Sequence, residues 1–106
     1  MVGLQPFDVD VQHRDDAAIV RPYGELDIAT VETLRVACDA INGARSLVLD
    51  LRGLSFIDSS GLRLLVEIHR HAQSNGLQLS LIAPSDPADR AIRLSGLDQA
   101  LPFEAE

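Results

Sequence analysis

The stretch Ser46-Leu47-Val48-Leu49-Asp50-Leu51, followed shortly by Phe56-Ile57-Asp58-Ser59-Ser60-Gly61-Leu62, contains the change of period that decides the fold. Its first six residues form a nearly continuous apolar run. That is the pattern of a strand buried on both faces, typical of the middle of a parallel sheet. Beyond Ile57 the spacing becomes helical. Gly61, Leu64, Leu65, Ile68 and Ala72 make one inward stripe, which predicts a helix from about Ser59 to Ser74 ended by Asn75-Gly76. Leu77-Gln78-Leu79-Ser80-Leu81-Ile82 then alternates as another strand. Strand, helix and strand in this order make a βαβ unit with a right-handed crossover.

Upstream, Phe7-Asp8-Val9-Asp10-Val11-Gln12 alternates apolar and polar, as a strand with one wet face does. Asp15-Asp16 reads as a turn, and Ala17-Ala18-Ile19-Val20-Arg21 as a second strand antiparallel to the first. Pro22 lacks an N–H, so the strand's end, near Tyr23-Gly24, is expected to be edge-like or irregular. Thr30 to Ile41 reads as a helix with the stripe Leu34, Ala37, Cys38 and Ile41. Asp27 or Thr30 can cap it and Asn42-Gly43 can stop it.

Downstream, Pro87 opens a third helix whose apolar positions are Ala88, Ala91, Ile92 and Leu94, with Ser95-Gly96 as the stop. Leu97, Leu101 and Phe103 are placed to return to the sheet. The expected architecture is α/β: one domain over residues 1–106, with helices packed on a mixed central β-sheet. Its order is ββαβαβα, with a final strand as an optional addition.

The composition fits this plan. A chain of 106 residues buries a little over ~60% of its unfolded surface, enough for one core without a metal or disulfide. With three Phe, one Tyr and no Trp, that core must be aliphatic. Nine basic against sixteen acidic residues give a net charge of -7, which disfavours nucleic acid and anionic membrane surfaces as partners. Cys38 is the only cysteine, so no internal disulfide forms. The N-terminus shows neither a basic nor an apolar signal region, and no apolar run approaches membrane-spanning length. A cytoplasmic location is therefore expected.

Asp58-Ser59-Ser60-Gly61 falls at a helix start, where all three polar side chains can accept from the free N–H groups of the first turn. Capping is the simplest reading. A nucleophilic serine is disfavoured: the G-x-S-x-G elbow needs glycine two residues before the serine, where Ile57 or Asp58 stands. His13 lies on a strand, and His69 and His71 lie far down the same helix, so none is placed as a base. Phosphorylation has a better physical basis. A phosphate on Ser59 would sit at a helix N-terminus and add about -1.5 to -2 charge beside Asp58.

Together with Gly24-Glu25-Leu26-Asp27, Leu49-Asp50-Leu51, Asn75-Gly76 and Arg93-Leu94-Ser95-Gly96-Leu97, this segment resembles STAS domains of the bacterial anti-sigma factor antagonist type. The resemblance spans nearly the whole chain. It implies a non-enzymatic regulator that binds an anti-sigma factor serine kinase and thereby frees a sigma factor. It implies phosphorylation of the serine directly after the aspartate, here Ser59, which breaks the complex until a serine phosphatase restores it. The implied partner-binding residues are Glu25, Asp27, Asp58, Ser59, Ser60, Gly61, Leu62 and Arg63. No cofactor is implied for this chain, since ATP and magnesium would belong to the kinase. Arg63 departs from the family pattern, which often has a small residue there, and many relatives carry a further C-terminal helix.

Two other classes fit the same resemblance: an accessory subunit of a transport or signalling complex, and a module that senses a small ligand. Residue chemistry adds no catalytic or metal site. Cys38 reads as buried packing, and His69 and His71, two apart on a helix, do not face together.

Overall fold

The computed structural model describes residues 7–105. Strand β1 (Asp8–Arg14) and strand β2 (Ala17–Leu26) form an antiparallel hairpin. The turn is the Asp15-Asp16 pair, with Asp15 at φ 55°, a left-handed conformation that aspartate tolerates. Helix α1 (Val31–Asp39), strand β3 (Ser46–Asp50), a 3-10 turn (Leu51–Gly53) and strand β4 (Leu54–Ile57) follow. Helix α2 (Ser59–Ser74), strand β5 (Gln78–Ile82), helix α3 (Ala88–Leu94) and the short helix α4 (Leu97–Ala100) complete the order.

The sheet has five strands in the order β1-β2-β3-β5, with β4 also paired to β2. Strand β2 organises it. One edge runs antiparallel to β1 from Ala17 to Tyr23, while the other is shared by two parallel partners in succession. Ala17–Val20 pair with Ser46–Leu49 of β3, and Gly24, Glu25 and Leu26 pair with Leu54, Phe56 and Ile57 of β4. Pro22 lies in the gap between them, with its carbonyl toward Gly53, so its missing N–H removes no bond from either ladder. The strand therefore continues through Pro22 to Leu26 instead of ending at Tyr23-Gly24. The expected irregularity is a register shift between Gly24 and Glu25, with Gly24 at φ 106°.

The βαβ unit is present, with β3 parallel to β5 over Ser46–Asp50 and Gln78–Ile82. What the apolar periodicity did not resolve is β4, inserted between β3 and α2. The predicted stripe of α2 is its buried face: Gly61, Leu64, Leu65, Ile68 and Ala72. Leu64, Leu65 and Ile68 join Val20, Leu26, Leu34, Leu49, Leu81 and Ile92 in one core cluster. Strand β3 is covered fully on only one side, because Leu47 and Leu49 are buried while Val48 is half-buried.

Three smaller expectations change. Helix α1 stops at Asp39, so Ile41 packs against the core from the following loop, and Cys38 is half-buried. Burial still pushes the Cys38 thiol up to about 12, with Asp39 adding to the rise. Leu94 is 78% exposed, since two residues beyond the buried Ile92 is the far side of a helix. Leu97 starts α4 instead of a strand, Leu101 is buried, and Phe103 returns to the sheet through one parallel bridge to Leu81.

Asp50 is the one buried charged residue, at 2% exposed among the described residues. Its carboxylate accepts from the Arg52 Nε at 3.0 Å, the Arg52 Nη2 at 2.8 Å and the Arg52 backbone N–H at 3.1 Å. It also accepts from the Arg21 Nε at 3.0 Å. One side chain thus ties the end of β3 to β2 and to the 3-10 turn. Hydrogen bonds from Arg52 pull the Asp50 carboxyl down from 3.8 to about 2, against the opposing effect of burial, with Arg21 assisting. A carboxyl depressed by folding stabilises the protein above its unfolded pKa. That contribution is lost as pH falls through the folded value. Asp50→Asn is therefore expected to cost about 2 kcal/mol in urea unfolding at pH 7. The deficit should shrink as pH falls from 3.8 toward 2; a deficit that does not change with pH would refute the assignment.

Candidate functional site

The parallel β2–β4 ladder ends at the pair Leu26 and Ile57, so Asp27 and Asp58 are the first residues past neighbouring strand ends. The Asp58 N–H donates to the Leu26 carbonyl at 3.1 Å, which joins the two loops. In parallel α/β sheets the carboxyl ends of strands are where loops build binding sites. Here they bring together the β2–α1 loop and the start of α2.

Asp58 takes the cap of α2. Its Oδ1 accepts from the Ser60 N–H at 2.9 Å and the Gly61 N–H at 3.1 Å, in an extended backbone conformation suited to that role. Ser59 is the first residue of the helix and is exposed, and its hydroxyl has no hydrogen-bond partner among the described residues. Ser60 is half-buried. The three cap-capable side chains therefore have different jobs: one aspartate supplies the cap and leaves the first serine to solvent.

Gly61 is fixed by close approach. A Cβ there would lie 2.6 Å from the Ile57 Cγ1 and 2.8 Å from the Leu26 carbonyl oxygen. The first turn of α2 consequently rests directly on the ends of β2 and β4, and Ser59 is held on a rigid element. Leu62 is half-buried against the core, and Arg63 is exposed one turn along.

Asp27 is used locally. Its Oδ1 accepts from the Ala29 N–H at 3.0 Å and the Thr30 hydroxyl lies 3.2 Å away, while its own N–H donates to the Thr30 Oγ1 at 2.9 Å. The Thr30 hydroxyl also donates to the Glu25 carbonyl at 2.7 Å. Thr30 occupies the cap position of α1 but makes no side-chain cap to the helix, so both residues shape the loop. Glu25 and Phe56 are lateral neighbours across the β2–β4 ladder, both exposed.

The structure thus gathers Glu25, Asp27, Asp58 and Ser59 at one end of the sheet, with Ser60 through Arg63 following on α2. It adds Ile28, which the sequence reading did not single out: it is 75% exposed, directly after Asp27, and Phe56 is 42% exposed nearby in the ladder. An isoleucine inside an otherwise polar loop was the available signal. A separate groove of about 500 Å³ opens between α1 and α2, lined by residues including Cys38, Leu64, Ile68 and Leu77. None of the residues from Asp58 to Arg63 lines it. No helix among the described residues is long and apolar enough to cross a membrane, and no cluster of three metal-ligating side chains occurs among them.

The STAS domain family profile matches residues 8–106. The chain belongs to the STAS domain family. Among curated relatives of this STAS chain, the anti-sigma F factor antagonist of Paenibacillus polymyxa is 30% identical over 100 residues, covering 92% of this chain and 86% of the relative. The crystal structure of an anti-sigma factor antagonist from Mycobacterium paratuberculosis superposes with a TM-score of 0.85 at 25% identity, covering 100% of this chain and 92% of that one. The anti-sigma factor antagonist SpoIIAA in its unphosphorylated form superposes with a TM-score of 0.72 at 26% identity, covering 95% and 90%. These relatives are named for antagonism of another protein, not for a reaction.

The division of roles at the helix start makes a direct test. Asp58→Ala is expected to lower stability by about 1 kcal/mol in urea unfolding, the usual cost of a lost cap. Ser59→Ala should stay within about 0.5 kcal/mol of wild type. Equal losses would mean that the serine hydroxyl shares the cap.

Proposed function

We propose that this STAS domain is an anti-sigma factor antagonist, a binding regulator rather than an enzyme, switched by phosphorylation of Ser59. The observation that carries this reading is the exposed Ser59 hydroxyl at the first residue of α2, left free because Asp58 supplies the cap. Its relatives' names support the antagonist role, and a solved relative is described as unphosphorylated, which supports the switch.

In the proposed cycle the unmodified protein binds an anti-sigma factor that is also a serine kinase. The contact surface is the end of the sheet bearing Glu25, Asp27, Asp58 to Arg63, and the exposed apolar side chains of Ile28 and Phe56. Apolar anchors within a polar rim are the ordinary anatomy of a protein interface. The kinase supplies ATP and magnesium. The Ser59 Oγ attacks the γ-phosphorus in line, the bond to the bridging oxygen breaks, ADP leaves, and the hydroxyl proton passes to a base of the kinase. This chain contributes positioning, because the hydroxyl stands on a helix seated on two strand ends.

The product carries about -1.5 to -2 additional charge beside Asp58 and Asp27, in the middle of the contact surface. Added negative charge that must be desolvated in that interface weakens the complex, and the sigma factor is captured again by its anti-sigma factor. A serine phosphatase resets the site. The cycle is cytoplasmic, where the kinase, ATP and the transcription machinery reside.

Incubation with the cognate kinase and labelled ATP is expected to label the wild type and to leave Ser59→Ala unlabelled. Labelling of that variant at the wild-type level would refute the site. Ser59→Asp should bind the kinase at least ~1–2 kcal/mol more weakly by calorimetry. Unchanged affinity would refute the switch.

A further inference from the structure

We propose that the phosphate on Ser59 is held within the same chain by Arg63, so that modification both adds an anion and withdraws a cation from the contact surface. The inference rests on Ser59 as the phosphate acceptor and concerns what happens to the phosphate once it is there. Ser59 and Arg63 are four residues apart on α2, both exposed, and side chains at that spacing are neighbours on one helix face. The acidic group lies N-terminal to the basic one, the favourable order for such a pair.

Arg63 is available for this role. Arg35, Arg52 and Arg93 are each engaged with carboxylates, whereas Arg63 makes no ion pair or hydrogen bond among the described residues. Its natural partner one turn on would be Glu67, again at a spacing of four. That carboxylate is already taken: Glu67 Oε2 accepts from the Arg35 Nη2 at 3.0 Å, across the α1–α2 contact. Helix α2 therefore presents Ser59, Arg63 and Glu67 in a row, with the acid at one end engaged elsewhere and the cation free toward the serine.

The neighbouring acids favour a counterion. Asp58 caps the same helix start and Asp27 begins the adjoining loop, so a phosphate on Ser59 adds to negative charge already gathered there. A phosphate has three oxygens and a guanidinium has a planar fork of donors, so one arginine can offset much of the added charge. In the unmodified protein the same guanidinium is free to meet a partner. Phosphorylation would turn it inward.

Phosphoserine can be installed at position 59 by genetic encoding, which requires no kinase and so separates this test from that of the acceptor site. Phosphorus-31 NMR then follows the second ionisation of the phosphate against pH in wild type, Arg63→Ala and Arg63→Lys. The dianion should be favoured by the cation, giving a second pKa about 0.3 lower in wild type than in Arg63→Ala at low salt. Arg63→Lys should retain part of the difference, and ~1 M salt should abolish most of it. Equal ionisation in wild type and Arg63→Ala at low salt would overturn the proposal, as would a difference that Arg63→Lys fails to retain or that salt leaves intact. Circular dichroism on all three checks that the exposed substitution leaves the helix formed.

Discussion

The Asp50 carboxylate holds the junction on which the rest of this fold depends. Strand β2 offers a single edge to two parallel partners, and the chain must leave β3, cross a three-residue turn and re-enter the sheet as β4 along that edge. Asp50 stands at the end of β3 and receives hydrogen bonds from Arg21 on β2 and from Arg52 in the turn. A buried carboxylate without partners would be strongly unfavourable, so its satisfaction by two guanidinium groups and an amide fixes where β3 ends. Gly53 completes the junction. A Cβ at that position would fall 2.7 Å from the Pro22 carbonyl oxygen and closer still to the Tyr23 ring.

From that junction the geometry of the site follows. Once β4 is in register with the second half of β2, Leu26 and Ile57 are paired and the loops after them must lie side by side. The Asp58 N–H then reaches the Leu26 carbonyl, Gly61 lets α2 descend onto the same carbonyl, and the helix start is pinned from two directions. The ion pair from Arg35 to Glu67 holds α1 against α2 farther along. Position 59 is thus set by the register of the sheet, with little contribution from the loop itself.

The α/β class, the hairpin, the parallel β3–β5 pair and the inward stripe of α2 were legible because each extends over enough residues for its period to register. Strand β4 was not. Four residues, Leu-Ser-Phe-Ile, directly after a buried strand give no complete alternation, and the apolar run from Leu47 onward masks the turn between the two. Leu94 was placed inward because it is apolar, although its angle from Ile92 puts it outward. For the site, Ser59, Asp58 and Asp27 were readable as a helix start and a loop, with their likeness to a family supplying the emphasis. The division of capping among Asp58, Ser59 and Ser60 required backbone angles, because all three have the same capacity to accept. The pairing of Asp50 was not read although its signal was usable: an acid within an apolar run, followed two residues later by arginine, must find a partner once buried.

The capping of α2 by Asp58 has a consequence for how such a protein can change over generations. The Ser59 hydroxyl makes no hydrogen bond among the described residues, whereas Asp58 supplies the cap and Gly61 admits the close approach of the helix to the sheet. Under the proposed switch, exchange of the serine for threonine, alanine or aspartate would keep, lose or mimic the reversible charge without removing the Asp58 cap. The neighbouring aspartate and glycine have no comparable latitude. If Ser59 carries the proposed signal, the residue that caps the helix and the residue that is modified are different ones, and the second can change without rebuilding the domain.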